Sequence, residues 1–294
     1  VPVARPRTSQ LRGVLGFSRN VLIGRLAWII YQDGDFAVAG RRLGQAAVGD
    51  YSLAWTIATS PIDKITNVLS GVTPTMFGAV QHDRPALTRY FLNLSEMLCL
   101  ITVPASVGMA LVSSDLVSVV LGSKWSGAAA PLALLALYAG ARSLTDLYDH
   151  LFNATKETWF GMWISVARAF LLLTGFIIGS HWGAVGIAAS WLIVHPLVSV
   201  VSFTRVRSVL ALPISRYLKA LRLGLDGTVA MCATVLGFQM LLAPDWAPTT
   251  RLLVSILSGA VTYILVTWLL HSGRLKHIYA WVKRIRSGEG QEAS

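Results

Sequence analysis

The sequence predicts an all-α fold, a polytopic membrane helical bundle of about eight transmembrane helices. Three observations carry this. Apolar stretches fill the chain at 14–32, 47–80, 88–112, 127–152, 158–179, 183–204, 224–243 and 250–271. Most are close to the roughly 20 residues a helix needs to cross a bilayer, where every backbone group must be satisfied inside the segment. Only 13% of the 294 residues are charged, about half the share usual for a soluble domain. The mean hydropathy is +0.59.

Residues 1–12 read as a cytoplasmic lead-in without a signal-peptide cleavage pattern. The first apolar stretch follows, and 33–46 is expected to be the longest connection. The second stretch exceeds the bilayer core and carries Pro61 and Pro74, so it should kink, tilt or project. Pro104 and Pro196 interrupt two later stretches, where proline frees a carbonyl and bends a helix. Gly175 and Gly179 form a GxxxG pair, which predicts close helix packing. Trp125, Trp182 and Trp246 fall near predicted membrane ends, the place of an interfacial belt. The basic segments 213–223 and 275–286 place apolar residues at helical spacing against Lys and Arg, as in helices lying at headgroup level. The chain so divides into a lead-in (1–12), a six-helix lobe (13–210), an interfacial helix plus two spans (211–272), and a basic interfacial helix with a polar, disordered tail (273–294). It starts at Val1, which fits either a fragment or an alternative start.

The net charge of +11 is distributed with a bias. With the first segment starting inside, one side holds Arg5, Arg7, Arg12, Arg84, Arg89, Lys156, Arg205, Arg207, Arg216, Lys219, Arg222, Arg274, Lys276, Lys283, Arg284 and Arg286. The other side holds Arg41, Arg42, Lys124 and Arg251. This places both termini in the cytoplasm. The cations then meet anionic headgroups of the bilayer rather than nucleic acid. Cys99 and Cys232 lie in apolar runs without metal or redox spacing and read as core residues. No catalytic constellation, metal cluster or cofactor motif is present, so the chain is not expected to be an enzyme.

Ionisable residues inside membrane helices are the strongest pointers to function. Arg25, Lys64, Arg142 and Arg168 sit near the middle of apolar runs. Each would cost about 2.5–3.5 kcal/mol facing lipid, on the order of 10 kcal/mol together. In 127–152, Tyr138, Arg142, Thr145, Asp146, Asp149 and Asn153 share one helical face, and Arg142 and Asp146 are spaced to pair. A weaker stripe runs through Thr56, Ser60, Lys64, Asn67 and Gly71, and Arg25 shares a face with Gln32 beside Trp28. Four midplane cations with fewer acids predict a positively charged cavity for an anion, phosphate above all. The alternative is that these charges pair across helices and fix the bundle. His195, beside Pro196, reads as a packed polar residue.

A set of motifs resembles a known family. These are Gly49-Asp50-Tyr51-Ser52-Leu53-Ala54, Pro61-Ile62-Asp63-Lys64-Ile65 with Pro74, Gln81-His82-Asp83, Gly122-Ser123-Lys124-Trp125 and Trp182-Gly183-Ala184-Val185-Gly186. Asp35 followed by Gly40 and Gly44 belongs with them. Over roughly 13–210 the chain resembles the polysaccharide transporter (oligosaccharide flippase) family of the multidrug/oligosaccharidyl-lipid/polysaccharide exporter superfamily. The resemblance implies two six-helix lobes around a cavity plus two helices, of which this chain matches the second lobe and the last two helices. It implies translocation of polyprenyl-diphosphate-linked oligosaccharide across the cytoplasmic membrane for exopolysaccharide or lipopolysaccharide synthesis. Arg25, Lys64, Arg142 and Arg168 would attract the diphosphate, with Asp146, Asp149, Tyr138 and Asn67 completing the site. The first lobe is expected from a preceding segment or a separate chain. Rival readings are a ligase or acyltransferase of the same pathway, a non-transporting interaction subunit, a drug exporter or a peptidoglycan-precursor flippase.

Overall fold

A computed structural model describes residues 27–241 and 246–286. Every described element is helical. Helix α1 covers 27–42, followed by α2 (Gln45–Ala79) and α3 (Arg84–Leu111). A short turn, α4 (Ser113–Leu116), a π-helical segment (Val117–Leu121) and a 3-10 segment (Ser123–Ala128) lead into α5 (Ala129–Ala154). Then come α6 (Thr158–Gly179), α7 (Gly183–Leu210), α8 (Ile214–Leu241) and α9 (Pro248–Arg286). Among the described residues five runs are long and apolar enough to cross a membrane: Arg84–Leu111, Ser123–Ala154, Trp159–Leu210, Ile214–Leu241 and Pro248–Leu275. The third folds back at Ser180–Trp182 into the α6–α7 hairpin. The protein is a multi-pass membrane bundle.

Helix α5 is the hub, packing against α2, α3 and α7, while α8 bridges α3 and α9. Two apolar clusters fill the interior. One gathers Tyr51, Leu132, Tyr138, Phe176 and Trp191. The other gathers Phe91, Tyr148, Phe152, Leu210 and Tyr217, with Phe91 stacked on Tyr217 at 5.9 Å.

Local chemistry sets the helix ends. Asp83 accepts from the Ala86 amide at 3.1 Å and caps α3, satisfying an orphan donor. α5 closes with Lys156 left-handed (φ 61) and the Glu157 amide on the Phe152 carbonyl at 2.8 Å, a Schellman-type end. α7 stops at left-handed Ala211, just before Pro213.

All four interior prolines are kept within continuous helices. At Pro104 the compensation is visible. Proline lacks the N–H that would bond the carbonyl four residues back, and the Tyr263 hydroxyl of α9 donates to that Leu100 carbonyl at 2.5 Å. The GxxxG expectation also holds. A Cβ added to Gly179 would meet the Gly186 carbonyl of α7, and the Ser190 hydroxyl bonds the Gly175 carbonyl at 2.8 Å.

Three expectations need correction. The 33–46 connection is helical through residue 42, because Gly34 packs against Phe176 and Asp35 is buried and hydrogen-bonded in the interior, while Asp33 stays exposed. The 213–223 segment is no separate surface helix. It is the opening of α8, with Tyr217 and Leu221 buried and Ile214 and Leu218 exposed. The connection before it shrinks to 211–213. Residues 275–286 likewise continue α9 beyond a break in helical geometry at His271 (φ −134, ψ 25), which Asp226 of α8 holds at 3.1 Å.

Candidate functional site

The polar stripe predicted on α5 lies in the interior of the bundle. Its upper end is Tyr138, fully buried, whose hydroxyl lies 3.0 Å from that of Tyr31 on α1. One turn on, the Arg142 guanidinium lies over the Tyr138 ring at 5.7 Å. Arg142 forms its ion pair with Asp63 of α2, not with Asp146 as the i,i+4 spacing suggested. A partner on a facing helix meets the guanidinium end-on, whereas Asp146 shares the same crowded stripe. Asp146 still sits among the charges, in the field of Arg142, Asp149, Arg168 and Asp63.

Arg168 reaches across from α6 to Asp149, 3.8 Å away, and its guanidinium covers the Tyr31 ring at 5.6 Å. The Nε–H groups of Arg142 and Arg168 are both buried without a partner. Beside Arg168 opens a cavity of about 330 Å³ between α1, α5 and α6. Trp28, Tyr31, Asp149, Asn153, Ser165 and Arg168 line it. Thr145 holds His195 of α7 at 3.0 Å, so this histidine is a packed polar residue as expected.

The remaining predicted residues are placed differently. Lys64 and Asn67 are exposed on α2, with Val68 at 72% exposure beside them. Arg25 lies outside the described residues. The expected surplus of positive charge is not found among the described residues. Arg142 pairs with Asp63 and Arg168 with Asp149, and Asp146 lies in the field of both arginines. Asp63 escaped the sequence reading because it adjoins Lys64 and falls off the α2 stripe.

Sequence reasoning also passed over a second polar centre. Asp35 of α1 is fully buried. It accepts from the Tyr51 hydroxyl at 2.6 Å and from Trp191 Nε1 at 3.3 Å, while Trp191 also donates to the Tyr51 oxygen at 3.1 Å. Aromatic contacts join this centre to the stripe, Trp191 lying 4.7 Å from Tyr138 and 5.4 Å from Tyr31. In the sequence Asp35 and Tyr51 appear as parts of the family-like motifs, with no spacing that links them to each other or to Trp191. The result is a continuous seam of charge and aromatic surface inside a membrane bundle, able to engage a polar anionic group away from lipid.

The family described as "Polysaccharide biosynthesis protein" matches residues 2–130. The lipopolysaccharide biosynthesis protein WzxC of Escherichia coli is 28% identical over 186 residues, 63% of this chain and 38% of that protein. The teichuronic acid biosynthesis protein TuaB of Bacillus subtilis is 26% identical over 264 residues, 86% of this chain and 54% of that protein. The succinoglycan biosynthesis transport protein ExoT of Rhizobium meliloti is 23% identical across 86% of this chain and 51% of that protein. The chain thus spans about half, or less, of the length of these relatives. In fold it is similar to the lipid II flippase MurJ in an inward closed conformation, with a TM-score of 0.67 at 15% identity. That likeness covers 85% of this chain and 53% of MurJ.

Proposed function

From kinship with the polysaccharide biosynthesis proteins and their transporters, we propose that this chain is the C-terminal part of a flippase. Its cargo is polyprenyl-diphosphate-linked oligosaccharide, moved across the cytoplasmic membrane for exopolysaccharide or lipopolysaccharide assembly. The observation that carries the reading is the pair of intramembrane arginines with buried, unpartnered Nε–H groups. Arginine prefers bidentate oxyanion contacts, and each guanidinium here keeps donors unused beside an acid it can exchange for a diphosphate. The neighbouring cavity offers Trp28 and Tyr31 faces with Asp149, Asn153 and Ser165, a lining suited to sugar hydroxyls. Charge balance by Asp63 and Asp149 keeps the empty seam stable in lipid, so affinity arises by exchange of partners rather than from a standing positive field.

The task of this chain in that reading is translocation rather than catalysis. The excess of Lys and Arg at the 80–83, 155–157 and 211–213 end of the bundle orients that end toward the cytoplasm. The other half of the cavity wall would come from a first lobe.

Replacing Arg142 and Arg168 together by glutamine, in the complete transporter, should reduce polysaccharide export at least a hundredfold. Membrane insertion should be retained, thermal stability should fall because Asp63 and Asp149 lose their partners, and export is therefore compared per inserted folded protein. Export at wild-type level from that double variant would sink the assignment of the seam to the substrate.

A further inference from the structure

At the basic end of the bundle a second cavity of about 250 Å³ opens between the α2–α3 turn, the α5–α6 turn and the last turns of α7. Its polar lining is Gln81, His82, Arg84, Thr155, Lys156 and Glu157. The acids around it are already engaged. Asp83 caps α3 through the Ala86 amide at 3.1 Å. Glu157 is gripped by Arg205 through two bonds, 2.6 and 3.1 Å. His82, Arg84 and Lys156 have no partner among the described residues.

Two of these cations sit where the backbone disfavours them. Lys156 occupies the left-handed position that ends α5 (φ 61), a place glycine fills without strain. Arg84 is the first residue of α3, where the helix dipole favours negative charge and opposes positive charge. Positions that break a local rule are where functional constraint is expected. The depth fits a membrane boundary: Trp159 and Trp163, on the opening turns of α6, are 72% and 53% exposed and in ring contact at 6.1 Å. Exposed tryptophans mark the headgroup level, and basic pockets between helices at that level recognise lipid phosphates.

We propose that Arg84 and Lys156, with His82 and Gln81, bind the phosphate group of a membrane lipid. The ligand is a phosphate ester presented at the bilayer surface, either an anionic phospholipid headgroup or the diphosphate of a polyprenyl carrier. The site does not depend on the seam residues, so it stands or falls apart from the transport reading.

Native mass spectrometry of the full chain tests this, with phosphatidylglycerol, undecaprenyl diphosphate and phosphatidylcholine offered separately. Wild type should retain at least one of the two anionic lipids in preference to phosphatidylcholine. Lys156→Gly and Arg84→Gln should each weaken that retention about fivefold. Lys156→Gly should do so with an unchanged or raised melting temperature, since glycine relaxes the left-handed residue. Preference for phosphatidylglycerol would assign the site to resident lipid, and preference for undecaprenyl diphosphate to the carrier. Equal retention of all three lipids would overturn the proposal. So would wild-type retention by both variants.

Discussion

A carboxylate shut inside a membrane bundle shows at residue scale what the surroundings must supply. Asp35 is fully buried and is held by Tyr51 and Trp191; its removal strands the Tyr51 hydroxyl, while Trp191 keeps the Tyr51 oxygen as acceptor. Asp35→Ala should lower stability by about 1–3 kcal/mol, the cost of one unsatisfied buried hydroxyl. Asp35→Asn keeps an acceptor and should cost less than half of that. Thermal melts of the two variants in one detergent check the order, and equal losses would refute the hydrogen-bond account. The same scale explains what the sequence could and could not show. Arg142, Asp146 and Asp149 were legible as one interior stripe because helical spacing puts them on one face, and Arg168 as a cation within an apolar run. Asp63 and Asp35 were not. Their significance rests on contacts with Arg142, 79 positions away, and with Trp191, 156 positions away, which no periodicity records. The balanced charge of the seam was hidden for the same reason.

At the scale of elements, the helices hold together through small residues and satisfied carbonyls rather than through amphipathic stripes. From the third apolar stretch onward, the position and order of the spans were legible because lipid demands long apolar runs. The extension of α1 through residue 42, and the fusion of 213–223 into α8, were not, because tertiary packing overrode turn-like and interfacial composition. Proline 104 shows how such a bundle tolerates a helix breaker. Its orphaned Leu100 carbonyl is met by Tyr263, which ties α9 to α3. Tyr263→Phe should cost about 1–3 kcal/mol, the value of leaving a buried polar group unmatched. The glycines make a paired comparison. A side chain at Gly186 would collide with the Gly179 carbonyl, whereas one at Gly237 meets nothing within 4 Å. Gly186→Leu should therefore cost several times the roughly 1–3 kcal/mol of ordinary overpacking. Gly237→Ala should be neutral or stabilising by about 0.5–1 kcal/mol from helix propensity. Denaturation of the two variants beside wild type decides this. A tolerated Gly186→Leu would refute the close α6–α7 crossing.

The whole molecule has an outer surface of two kinds. Most of it is apolar, as at Ile193, Val200, Leu253, Ile264 and Leu269, each more than half exposed, which is the surface a bilayer requires. The face of α2 differs. Thr56, Lys64, Asn67 and Gly71 are exposed along it, one or two helical turns apart, and Lys64 has no partner among the described residues. A lysine facing the bilayer centre costs about 2.5–3.5 kcal/mol, so this face should meet water or another protein surface rather than lipid. The seam reaches the same helix through Asp63, next in sequence to Lys64, and so lies just behind it. Cysteine reactivity separates the two surfaces. With Cys99 and Cys232 replaced by alanine, Asn67→Cys should react with a small, membrane-impermeant methanethiosulfonate at least tenfold faster than Ile193→Cys. Sugar-bearing polyprenyl diphosphate should slow the first reaction and leave the second unchanged. If both cysteines react at one rate, the α2 face lies in lipid like the rest of the surface. The substrate path would then have to be sought on another face of the bundle.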